Sequence, residues 1–175
     1  MTDATGPTVH ASAVLVGNRA VLIRGPSGAG KSRLAFDLIL AARAGQIPHA
    51  VLVGDDRVHL DAGKGQLVVR AARELAGLIE IRGLGIRRCD FAEEAIVGLV
   101  VDLDAPDAAR LPSSEALQTS IYGVKIPRIP VGSGFAALPL LIAALTMTAS
   151  SSSTLLSADC SKGIGNHISP TIATE

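Results

Sequence analysis

Ala20-Val21-Leu22-Ile23-Arg24-Gly25-Pro26-Ser27-Gly28-Ala29-Gly30-Lys31-Ser32 is the stretch from which the rest of the chain is read. Its first four residues form an apolar run of the kind that makes a buried strand. Gly25, Gly30, Lys31 and Ser32 then stand at the spacing of a glycine-rich phosphate loop. A phosphate needs convergent N–H donors that no side chain crowds. Gly25, Gly28 and Gly30 permit that tight wrap, and the helix that follows adds its positive end to the same concavity. Lys31 supplies a point charge for the terminal phosphates, and the Ser32 hydroxyl a ligand for Mg²⁺. Residues Gly25, Pro26, Ser27, Gly28, Ala29, Gly30, Lys31 and Ser32 are therefore the candidate phosphate cradle.

Working outward, residues 9–16 and 19–23 read as strands joined by a Gly17-Asn18 hairpin. After the loop, Leu34, Leu38 and Ile39 with Ala35, Ala41 and Ala42 give one apolar helical face that Gly45 stops. Residues 50–53 form a buried strand ending at Asp55 and Asp56, with Val58 and Leu60 continuing it and a turn over 61–65 before strand residues 67–69. Residues 71–78 fit a short helix, 80–85 a loop of close backbone approach, and 96–103 a further apolar strand. The stretch 104–134 is rich in Pro, Gly and Ser, and inside it the apolar and basic run 121–128 reads as a connection or a partner-contacting loop. A closing helix is expected over 138–147, and a mobile tail from 148 to 175. This is one catalytic-sized domain over 8–147, an α/β fold with a mixed sheet and flanking helices.

Composition removes several function classes. Sixteen Lys and Arg balance sixteen Asp and Glu, and aromatic residues make up 2% of the 175 residues, so neither an electrostatic footprint nor a stacking surface for nucleic acid is expected. Cys89 and Cys160 lack metal or redox spacing, and His49, His59 and His167 do not combine with them into a zinc site. The apolar stretch 135–147 is interrupted by Pro139 and too short for a bilayer. A cytoplasmic protein with no membrane partner is the expectation.

A phosphate loop alone leaves motors, GTPases, ATPases and small kinases open. The adjacent carboxylates Asp55 and Asp56 at a strand end narrow the choice, because one can anchor a metal while the other orients or deprotonates an incoming hydroxyl. The absence of an Asn-Lys-x-Asp guanine-reading sequence argues against a GTPase. Charge spreading over the transferred phosphoryl oxygens calls for a cation beyond Lys31, for which Arg82 and Arg128 are candidates. His10 is placed to adjust the protonation of an acidic group at the same sheet edge. A small-molecule kinase, a nucleotide hydrolase and a non-catalytic nucleotide-dependent module all remain compatible with these residues.

Taken in order, GPSGAGKS, LVGDDRV at 52–58 and LIEIRGLGI at 78–86 resemble the catalytic domain of the bacterial HPr kinase/phosphorylase family. The resemblance covers roughly His10 to Ala144. It implies a fold like the nucleotide-binding part of phosphoenolpyruvate carboxykinase. It also implies ATP- and Mg²⁺-dependent phosphorylation of the phosphocarrier protein HPr on a regulatory serine, with the kinase direction expected ahead of reverse phosphorolysis, which the retained His10 leaves open. Under it Asp55 is the catalytic carboxylate, base forward and acid in reverse. Lys31 belongs to the catalytic set; Ser32, Asp56 and Glu80 serve the metal and phosphate site; Arg82 is the signature arginine; and His10 stands beside the catalytic pair. Residues 125–131 look like the family's mobile loop that meets HPr, with Arg128 at a basic position of that loop. Assembly into a homo-oligomer, a hexamer in the family, is implied as well. Two departures bear on this expectation: Arg33 replaces an acidic residue after the GKS sequence, and His10 lies near the start, as in the short forms similar to those of alphaproteobacteria.

Overall fold

The computed structural model describes residues 7–148. The expected tail and Cys160 lie outside the described residues, apart from Thr148 itself. Strands β1 (Val9–His10), β2 (Ser12–Val16) and β3 (Arg19–Arg24) come first, followed by the glycine-rich loop and helix α1 (Lys31–Arg43). Next are β4 (Ala50–Gly54), β5 (Arg57–Gly63) and β6 (Gln66–Ala71). Then come β7 (Leu78–Ile81), β8 (Gly85–Arg88), β9 (Glu94–Leu103), β10 (Gln118–Ile121), β11 (Val124–Val131) and helix α2 (Ala137–Thr146).

Nine strands make one mixed sheet in the order β1-β5-β6-β9-β3-β2-β4, with β11 also paired to β9 and β10 to β11, while β7 and β8 form a separate hairpin. Strands β3, β9 and β11 are mutually parallel. β2 is antiparallel to both β3 and β4. It follows that β3 and β4 run in the same direction. Their carboxyl ends, carrying the glycine-rich loop and the Asp55-Asp56 pair, open on one edge of the sheet, where ligands of open α/β sheets bind.

Between its terminal arginines, strand β3 is apolar from Ala20 to Ile23 because both its faces are covered there. Val21 and Ile23 join the cluster containing Leu34 and Leu38 of α1, Ile79 of β7 and Leu141 of α2. Ala20 and Leu22 face the other way, into a cluster with Val53, Val58, Leu67, Val69, Val100 and Ile126. α1 buries Leu34, Ala35, Leu38, Ile39 and Ala41, the stripe its sequence predicts. It stops where expected: the Gln46 and Gly45 N–H groups donate back to the Ala41 and Ala42 carbonyls, with Gly45 left-handed at φ 72°, the hydrogen-bond pattern of a Schellman cap.

Four local expectations are corrected. Val58 and Leu60 do not extend β4; the chain reverses at Asp56, and they belong to the antiparallel β5. β5 itself runs on through Gly63, so the 61–65 turn shrinks to Lys64-Gly65, both at positive φ as a tight hairpin requires. Residues 71–78 hold only a single 3₁₀ turn, Arg73–Leu75, because Gly77 turns left-handed at φ 71° where the Phe91 ring leaves 2.7 Å for a Cβ. The 80–85 loop is instead the tip of the β7–β8 hairpin, with Glu80 and Ile81 in register with Ile86 and Gly85.

The segment 125–131 is likewise no loop. It lies in β11, in parallel register with β9 from Arg128↔Val100 to Val131↔Leu103, with Ile126 and Val131 buried. The β10–β11 turn is Tyr122-Gly123, both left-handed. No helix among the described residues is long and apolar enough to cross a membrane.

Candidate active site at the carboxyl edge of the sheet

The loop between β3 and α1 has the backbone its glycines predict. Gly25, Gly28 and Gly30 sit at φ 150°, 81° and 95°. A Cβ on Gly25 would also meet the Leu103 carbonyl oxygen at 3.1 Å, so this glycine serves close packing against β9 as well as conformation. Gly30 is the N-cap of α1 and offers no side chain to cap it, and the first turn carries no acidic residue. The first N–H groups of α1 are therefore left as donors for an anion.

Lys31 is 6% exposed, and its ammonium donates to the Gly25 and Pro26 carbonyls, both at 2.9 Å. Burial pushes it below the usual lysine range, while the neighbouring Asp56 and Asp55 carboxylates oppose that shift.

A cavity of about 570 Å³ opens over this loop. Ser27, Gly28, Gly30, Lys31 and Ser32 form its floor; His10, Asp56, Glu80 and Arg82 line it from β1, the β4–β5 turn and the β7–β8 hairpin. Gly25, Pro26 and Ala29 shape the loop from behind without lining the cavity. Four further residues complete the wall: the exposed Arg33 and the half-buried Phe36 and Asp37 from α1, and Ile81. Of these, the sequence singled out Arg33, as a departure from a family pattern, and Ile81, within the LIEIRGLGI segment. Phe36 is partly buried and also packs against the core cluster.

The two adjacent aspartates are treated oppositely by the fold. Arg57 N–H donates to the Asp55 carbonyl at 2.8 Å, closing a three-residue turn around Asp56, whose φ is 65°. Such positive-φ γ-turns are rare and strained. The turn sends the Asp56 side chain outward, 62% exposed, to within 3.2 Å of His10 Nε2. Asp55 goes inward, 3% exposed. Its Oδ1 accepts the Ser12 hydroxyl at 2.6 Å and its Oδ2 the Glu80 N–H at 3.1 Å. It does not line the cavity. Ser12 is a residue that sequence reasoning missed; the available signal was a lone polar side chain opening an otherwise apolar strand.

Arg128 is not brought to the cavity. Its guanidinium donates to Asp102, to both carboxylate oxygens of Asp107 and to the Ala116 carbonyl. Asp102 at the end of β9 also accepts two bonds from Arg24, at 2.7 and 2.8 Å. Burial alone would raise the Asp102 carboxyl, but the hydrogen bonds and charge of Arg24 and Arg128 more than offset it and hold it below the usual carboxylate range. Arg128 is correspondingly held above the ordinary arginine value, first by Asp107.

Among the described residues no three His, Cys, Asp or Glu side chains converge into a ready-made metal cage. Ser32, Asp56 and Glu80 nevertheless put oxygen donors on one wall system. A few hard oxygens with room for water and phosphate suit Mg²⁺, which seldom occupies all-protein cages.

A family model described as HPr Serine kinase C-terminal domain matches residues 3–159. The chain is similar to an HPr kinase/phosphorylase of Mycoplasma mycoides, 33% identical over 141 residues that cover 71% of this chain and 42% of the relative. It is similar also to one of Lacticaseibacillus casei, 36% identical over 136 residues covering 71% of this chain and 40% of that one. The chain thus spans about two fifths of the length of these curated relatives. Among solved structures, the HPr(Ser) kinase/phosphatase from Coxiella burnetii aligns with a TM-score of 0.62 and 29% identity, over 80% of this chain and 93% of that one.

Proposed function

The chain belongs to the HPr serine kinase C-terminal domain family, and from that membership we propose that it transfers the terminal phosphoryl group of ATP to a serine hydroxyl of an HPr-like phosphocarrier protein. One observation carries the reading: Lys31 and Ser32 of the glycine-rich loop share a single cavity with His10, Asp56, Glu80 and Arg82. The loop N–H groups and the α1 N-terminus hold the phosphates, and Lys31 exchanges its carbonyl partners for phosphate oxygens. When bound, Mg²⁺ neutralises charge on the phosphates.

Asp56, rather than Asp55, takes the role of base in this proposal. It faces the cavity, whereas both Asp55 oxygens are occupied by protein donors. The serine oxygen forms the new bond to phosphorus as the bond to the ADP oxygen breaks, and the hydroxyl proton passes to the Asp56 carboxylate. His10, 3.2 Å away, orients that carboxylate. With Asp56 so used, Ser32 and Glu80 remain as the protein's oxygens for the metal. Arg82 is the cation left for charge on the transferred group, since Arg128 is engaged elsewhere. In phosphorolysis, an oxygen of inorganic phosphate forms the new bond to the phosphoserine phosphorus as the serine O–P bond breaks; Asp56 gives its proton to the departing serine oxygen and takes up the proton of the attacking phosphate, and pyrophosphate is the second product.

Incubation with ATP, Mg²⁺ and HPr, read by mass spectrometry, should give one phosphoserine on HPr, formed about 10²–10⁴ more slowly by Asp56→Asn. ATP turnover indifferent to HPr, with no phosphoserine formed, would overturn the assignment in favour of a nucleotide hydrolase or small-molecule kinase.

A further inference from the structure

We infer that Ser12 is a positioning residue of this site, acting through the buried carboxylate of Asp55 to fix both the turn that presents Asp56 and the strand that presents Glu80. The inference rests on reading the cavity as a phosphoryl-transfer site. Ser12 is 0% exposed and opens a strand whose other residues, Ala13, Val14, Leu15 and Val16, are all apolar. A buried hydroxyl in such a strand destabilises the fold unless it is bonded. Its bond to Asp55, at 2.6 Å, lies in the short range of charge-assisted hydrogen bonds.

The geometry that brings the two together is itself irregular. The β2–β4 register shifts between Ala13 and Val14, so that Ala13 stands opposite Gly54 and Ser12 falls beside Asp55. Bulges of this kind re-aim side chains.

What the pair controls follows from topology. The β7–β8 hairpin, which carries Glu80 and Arg82 to the cavity, hydrogen-bonds to no strand of the large sheet. Ile79 anchors it in the core through apolar contact. Asp55 supplies a directional tie, accepting Glu80 N–H at 3.1 Å on one oxygen while Ser12 holds the other. Removal of the Ser12 hydroxyl leaves a buried anionic oxygen without its donor and frees the carboxylate to rotate away from Glu80. The Asp55 backbone is also the first residue of the strained turn at Asp56, so both catalytic-side carboxylates lose their reference.

The test compares Ser12→Ala, Ser12→Val and Ser12→Thr in the full chain; Val and Thr have nearly the same shape and differ in the hydroxyl. Two readouts are needed: steady-state phosphoserine formation on HPr, and amide exchange at Glu80 by NMR. Ala and Val are expected to lower kcat roughly tenfold to a hundredfold, with KM for ATP within about twofold and faster exchange at Glu80. Thr should restore both. In an Asp55→Asn background the Ser12→Ala change should have no further effect. Equal kcat and equal Glu80 exchange in Thr and Val variants would overturn the inference. Should the unaltered protein form no phosphoserine, the kinase reading fails by itself, and Glu80 exchange then decides the positioning claim alone.

Discussion

At the level of single residues, two neighbouring aspartates with the same intrinsic chemistry are separated by one backbone angle. The φ of 65° at Asp56 puts its carboxylate in the cavity, while Asp55 is folded inward at 3% exposure. The two positions should consequently fail in different ways. Asp56→Asn keeps a side chain that tolerates the left-handed region, so unfolding free energy should stay within about 0.5 kcal/mol of the parent. Phosphoserine formation should fall by about 10²–10⁴ if a general base is lost. Asp55→Asn replaces a double acceptor by an amide that cannot serve both donors equally, and should lower stability by about 1–3 kcal/mol in denaturant titrations. A stable Asp55→Asn protein together with an active Asp56→Asn protein would contradict this division of labour. The side-chain pair was legible in the sequence, but which member lines the cavity was not. That choice rests on the turn closed by Arg57 N–H, which no residue type in GDDRV announces.

Secondary-structure elements near the site are joined by an ion-pair chain as well as by the core. Arg24 at the end of β3, Asp102 at the end of β9 and Arg128 on β11 join the three parallel strands beside the glycine-rich loop. Replacing Asp102 by Asn leaves two partly buried guanidinium groups short of an acceptor and should cost about 2–3 kcal/mol at neutral pH. Because Arg24 and Arg128 depress the Asp102 carboxyl, its contribution is complete above the ordinary carboxylate value of about 4. It is lost as pH falls through the lower folded value. Thermal melts should show the parent losing stability below about pH 4 more steeply than Asp102→Asn; parallel curves would argue against the clamp.

A smaller test concerns α1: Gly45→Ala meets no neighbouring atom within 4 Å but must adopt φ 72°, so about 1 kcal/mol should be lost through backbone strain alone. The Gly45 stop and the periodic stripe of α1 were readable because they are local. Strand β11 was not, because Val124-Lys125-Ile126-Pro127-Arg128-Ile129-Pro130-Val131 carries two prolines that signal a loop. Its place beside β9 is decided by a pairing between segments distant in sequence. The same non-local bond network took Arg128 out of the candidate site and gave it a structural partner in Asp107.

Across the whole molecule, the site is assembled where separate directions of chain meet. β3 and β4 end at one edge, β2 begins there with Ser12, and the separate β7–β8 hairpin leans in from the side. The floor of the cavity of about 570 Å³ has donors without anionic hydrogen-bond partners: the α1 N-terminus, and a Lys31 that bonds only backbone carbonyls. Ligand binding should therefore stabilise the folded chain by mass action, since the converging elements exist only in the native state. At a hundredfold excess over the dissociation constant, ATP with Mg²⁺ should add about 2.7 kcal/mol, which for a chain of this size raises Tm by roughly 5–11 °C. Lys31→Ala should remove most of that increment while leaving the unliganded Tm close to the parent or higher, because a buried ammonium contributes little to the empty fold. Ser12→Ala, which acts on the carboxylate side, should retain most of the shift despite its loss of kcat. A nucleotide-induced shift that survives Lys31→Ala would place the ligand somewhere other than the glycine-rich loop.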